Sequence, residues 1–116
     1  MRFLMLVCRD DTVPRDPSPP GDLGAAVDEW VARYDARGRR VTGDALAGET
    51  HAMVVRVRGG RTQATEGPVL ATGGALLGFD VLECSDLDEA VAVAAAHPLA
   101  RRCALEIRPV AHDEDD

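Results

Sequence analysis

The sequence predicts an α+β domain built as a ferredoxin-like βαββαβ plait, an antiparallel sheet with two helices on one face. Three observations predict it. Apolar residues crowd together or alternate at strand spacing in stretches 3–8, 51–58, 75–84 and 103–110. Between the first and second stretches, and between the third and fourth, they recur at helical spacing. Gly59-Gly60 supplies a two-residue hairpin signal between 51–58 and 61–65. The order therefore reads β-α-β-β-β-α-β, or βαββαβ when the hairpin's second arm is counted with its successor.

Residues 3–8 are apolar on both faces, as a central strand is. Pro14, Pro17, Pro19 and Pro20 then enforce a loop, since prolines so close together permit neither helix nor ladder. From Asp22 the spacing of Leu23, Val27, Trp30, Val31 and Tyr34 makes one helical stripe, and Gly38 closes that helix. Stretch 51–58 points Met53, Val55 and Val57 one way and Val54, Arg56 and Arg58 the other. Glu66-Gly67-Pro68 interrupts its hairpin partner. Ala75 to Cys84 forms a further strand, in which Gly78 marks a bulge or a close approach of backbone. Ser85 is the expected N-cap of the second helix, with Asp86, Asp88 and Glu89 favourably placed in its first turn. Leu87, Ala90, Val91, Ala94 and Ala95 are its expected buried stripe, and His97-Pro98 ends it. In the last strand Leu105 and Ile107 oppose Glu106 and Arg108. The helix-free face of such a sheet is expected to carry Leu77, Phe79, Leu105 or their alternates, and a homodimer is expected to cover it.

The 116 residues suit one domain, expected over 1–112, followed by a frayed acidic tail, 113–116. Of the net charge of −7, the tail carries four acids, so the body is mildly acidic and nucleic acid is not expected as a partner. The chain has no Lys, which excludes a Schiff-base nucleophile, a phosphate-loop lysine and a pyridoxal anchor. Cys8, Cys84 and Cys103 lack disulfide or zinc spacing and are expected as buried reduced thiols. The six-residue apolar run near the start is too short for a leader or a membrane span, so a cytoplasmic location without membrane contact is expected. No metal and no other cofactor is expected.

The ordered set Met53-Val54-Val55-Arg56-Val57-Arg58-Gly59-Gly60-Arg61, Glu66-Gly67-Pro68-Val69, Gly78-Phe79, Ser85-Asp86-Leu87-Asp88-Glu89-Ala90 and Leu105-Glu106-Ile107-Arg108-Pro109-Val110 resembles the YCII-related proteins. Within them it is most similar to the branch named for its Asp-Gly-Pro-Phe (DGPF) motif. The resemblance implies a dimeric α/β barrel, a homodimer and a cleft near the motif loop, where a small molecule is bound or transformed. It also implies an alternative: some members are associated with extracytoplasmic-function sigma factors, so a non-catalytic accessory module is the second reading. The motif here departs from the family's, with Glu66 for Asp and Val69 for Phe, and of the usual continuation only Thr72 survives. Val27 stands in the neighbourhood expected for the family's helical His, so the His–Asp mechanism proposed for relatives does not transfer.

The candidate ligand-binding residues are Glu66, Gly67, Pro68, Thr72, His51 and Asp44. A carboxylate beside Gly-Pro can accept backbone N–H groups or act as an acid or base, and it can equally be a turn cap. His51, with Asp44 and Glu49 in the loop before it, offers a general base, or a solvated loop histidine. His97 is accounted for by the end of its helix. Arg56, Arg58, Glu106 and Arg108 offer bidentate anion binding or cross-strand ion pairs. No catalytic residue is assigned.

Overall fold

The computed structural model describes residues 1–12, 14, 21–69 and 75–111. Its elements follow in the order β1 (Arg2–Arg9), α1 (Leu23–Ala36), β2 (Arg40–Ala45), β3 (Met53–Arg58), β4 (Arg61–Glu66), β5 (Leu76–Glu83), α2 (Leu87–Ala95) and β6 (Cys103–Pro109). Single 3-10 turns stand at Glu49–His51 and Pro98–Arg101. Four strands form one antiparallel sheet in the order β2-β5-β1-β6. With two helices this is an α+β arrangement compatible with the ferredoxin-like plait.

The plait's second strand is not the one expected. Stretch 51–58 pairs only with β4, in a separate two-stranded sheet. The expected loop around Asp44 is instead β2, an edge strand paired with β5 alone. Edge strands need no continuous apolar pattern, because one side and one face stay open to water.

Pleating puts Phe3, Met5 and Val7 of β1 on the same face as Leu82 of β5, against Trp30 and Tyr34 of α1 and Ala90, Val93 and Ala94 of α2. Trp30 fills the centre and donates its indole N–H to the Val93 carbonyl at 3.0 Å, which ties the two helices together. Asp22 caps α1 by accepting from the Gly24 and Ala25 N–H groups, and Gly38 follows its end at φ +68°, the left-handed region.

Three expectations about faces and caps change. The N-cap of α2 is Asp86, not Ser85: the Asp86 carboxylate accepts from the Glu89 N–H at 2.8 Å, while Glu89 accepts from the Ser85 N–H. The helix turns Ala90, Val93 and Ala94 inward, leaving Leu87 and Val91 exposed. Leu105 faces the helices, opposite Val7, while Phe79 lies on the open face opposite Leu6. Leu77 falls within the register shift beside Val7, at the irregularity expected around Gly78. Of the cysteines only Cys84 is buried; Cys8 and Cys103 are half-buried. Thr72, most of the proline loop and the acidic tail lie outside the described residues.

Candidate functional site: a cleft between α1 and the sheet

Alternation along β5 sends Gly78, Asp80 and Leu82 toward the helices. Asp80 therefore carries a carboxylate into a layer that is otherwise apolar, only 6 % exposed. Such a charge persists only when paired. Arg40 of β2 donates from Nε to Asp80 Oδ1 at 2.8 Å, from Nη1 to Asp35 at 3.0 Å, and from Nη2 to the Gly43 carbonyl at 3.0 Å. Burial works against the Arg40 charge, but these carboxylate partners hold it above its ordinary value. Burial also lifts the Asp80 carboxyl, further than the Arg40 hydrogen bond and charge pull it down. Gly43 makes the pair possible, since a Cβ there would run into the Asp80 carboxylate and the Phe79 carbonyl. Asp80 Oδ2 has no donor among the described residues.

His97 approaches the same space from beyond α2 and is 4 % exposed. Its Nδ1 accepts from the Leu99 N–H at 3.0 Å, capping the turn Pro98–Arg101, and its ring stands 4.5 Å from that of Trp30. The proton therefore resides on Nε2. Burial pushes the imidazole down to about 4, so it stays neutral at physiological pH.

Asp80 and His97 border a cleft of about 400 Å³, a volume that suits a small organic molecule. Val7, Val27, Val31 and Leu99 give it apolar walls, and Asp28 adds a further carboxylate. Arg40 is engaged by its own partners, so among the described side chains that line the cleft a ligand meets the Asp80 and Asp28 carboxylates as acceptors and His97 Nε2–H as a donor.

Of the residues predicted from sequence, Asp44 lines this cleft. Glu66 is exposed at the end of β4, opposite Met53, and Gly67 follows at φ +102° with its N–H on the Ala52 carbonyl at 3.0 Å. That bond brings the Glu66-Gly67 turn beside the exposed His51 turn, at the base of the hairpin. Glu66, Gly67, Pro68 and His51 are not among the described residues that line the cleft. Arg56 and Arg58 sit on the hairpin, whereas Glu106 and Arg108 pair with each other on β6, so the four do not form one anion site. The sequence pattern singled out neither Asp80 nor Arg40, and His97 read only as the end of its helix. A signal for Asp80 was present: an acid at the same parity as Leu82 in an apolar strand occupies a core-facing position.

Among the described residues no group of three or more His, Cys, Asp and Glu is placed to hold a metal ion, and no helix is long and apolar enough to cross a membrane. The family model described as the YCII-related domain matches residues 1–112. No curated protein matches the chain.

Proposed function

The chain belongs to the YCII-related domain family, and from that premise we propose that it binds a small organic molecule in the cleft between α1 and the sheet. One observation carries this reading: two polar side chains, Asp80 and His97, each less than one-tenth exposed, border a single cavity of ligand size. Close-packed cores put apolar groups at such positions, because each buried polar group costs free energy unless it is hydrogen-bonded. The free oxygen of Asp80 takes a hydroxyl or ammonium group, and His97 Nε2–H donates to an acceptor on the same molecule. Asp28, with the Asp80 carboxylate, favours a neutral or cationic ligand over an anion. If the bound molecule is also transformed, Asp80 is the acid–base group, since burial already favours its protonated form.

The segment Glu66-Gly67-Pro68 supports placement in the DGPF-motif branch. The apolar Leu4, Leu6, Phe79 and Val81, on the sheet face away from the helices, support a homodimer of the barrel type.

Thermal-shift measurements with millimolar small amines, amino alcohols and carboxylates test the reading. Amines or amino alcohols are expected to raise the melting temperature of the wild type, and Asp80→Asn is expected to abolish the shift while leaving the circular dichroism spectrum intact. A flat response to all three classes would overturn it in favour of the accessory-module reading.

A further inference from the structure

We propose that the β3–β4 hairpin is an arm that clasps a second copy of this chain, an assignment that rests on the homodimer reading above. Neither strand of the hairpin pairs with the four-stranded sheet. A two-stranded hairpin left alone in water is marginal at best. This one is also amphipathic. Its register puts Met53, Val55, Val57 and Ala64 on one face, with Thr62 and, at its base, Glu66, and Arg56, Arg58 and Arg61 on the other with Val54.

The apolar face is uncovered: Met53, Val55 and Val57 are 56 %, 62 % and 58 % exposed. Three adjacent apolar side chains left so open on one face of a small module mark an interaction surface.

Charge selects the occupant. Among the described residues, Arg56, Arg58 and Arg61 form no ion pair, and Glu66 is the only acid on the hairpin. The whole chain nevertheless carries −7, so everything outside this basic arm is more acidic still. A second copy therefore attracts the arm, and the same field repels nucleic acid from the rest of the molecule. The open sheet face of the other copy supplies apolar surface for the arm in Leu4, Leu6, Phe79 and Val81; its acids Glu83 and Glu106 are already paired with Arg2 and Arg108, so the attraction comes from the copy's overall negative charge. In a two-fold dimer each arm crosses to the other copy, so one chain supplies both halves of the contact.

Light scattering after gel filtration at micromolar concentration tests this. The wild type is expected at twice its 12.3 kDa mass. Val55→Asp with Val57→Asp is expected to raise the dissociation constant about a hundredfold or more, while Trp30 fluorescence and circular dichroism stay unchanged because the arm lies outside the plait core. Arg56→Glu with Arg58→Glu and Arg61→Glu is expected to weaken the dimer about tenfold at low salt, a difference that high salt erases. A monomeric wild type would overturn both the arm and the homodimer. A dimer indifferent to the Val55 and Val57 changes would overturn the arm alone. Tight, Arg-dependent binding of duplex DNA or RNA by a monomer would assign the arm to nucleic acid instead.

Discussion

The four-stranded sheet and the hairpin are built from strands of the same pattern, and their surroundings treat them in opposite ways. Phe3, Met5 and Val7 alternate along β1 and are at most 4 % exposed. Met53, Val55 and Val57 alternate along β3 and are more than half exposed. The first set lies under α1 and α2; among the described residues nothing covers the second. Period-two alternation thus specifies which side of a strand wants to leave water. It does not say what will cover that side.

Damage to the two regions is expected to differ accordingly. Trp30→Ala, which empties the centre of the plait and leaves the Val93 carbonyl without its donor, is expected to cost about 4 kcal/mol by denaturant unfolding. A loss below about 1 kcal/mol would mean that the helices do not hold the sheet through this residue.

Acidification comes next. In the unfolded chain His97 takes up its proton near the ordinary value of 6.5, and in the folded chain only near 4. Between those values the unfolded state holds more protons, so stability falls as pH falls through this window, by up to about 3 kcal/mol. Asp80, whose carboxyl is raised by burial, works in the opposite sense at the acid end, because its folded form gains the proton first. The comparison is therefore made with His97→Asn, which keeps an acceptor for the Leu99 N–H and is expected to flatten the slope. Equal slopes in variant and wild type would take His97 out of the acid response.

The smallest effects belong to the hairpin base. Gly67→Ala places a side chain at φ +102° and is expected to cost about 1–2 kcal/mol. Glu66→Gln, on an exposed side chain, is expected to change stability by less than about 0.5 kcal/mol in chemical denaturation. A Glu66→Gln loss as large as that of Trp30→Ala would make the acid a structural cap and erase the contrast between the two regions.

Much of the fold was legible because its signals are local. The stripe of α1, the apolar run of β1 and the paired left-handed glycines Gly59 and Gly60 each follow from a few adjacent residues. Strand β2 was not legible. Arg40-Val41-Thr42-Gly43-Asp44-Ala45 shows no alternation, and its Gly43 answers to a contact with β5 that only the folded chain reveals. Without that strand 51–58 reads as part of the plait, since its valines alternate in the same way whether or not a helix covers them. The site was hidden for a related reason. Asp80, Arg40 and His97 are far apart in sequence and meet only because β5, β2 and the turn after α2 converge on one cleft. Asp44 was picked out for its nearness to His51, yet it lines the cleft through its place on β2.

The ring contact between Trp30 and His97 makes the cleft readable by light. Trp30 is the chain's single tryptophan, so all indole emission comes from one position, 4.5 Å from the imidazole that borders the cavity. An imidazolium quenches indole emission far more strongly than a neutral ring does. Protonation of His97, or a ligand that changes the polarity beside it, will register as a change in the intensity and colour of one fluorophore, with no label attached. The same residue that organises the core therefore serves as a built-in optical gauge of the site beside it.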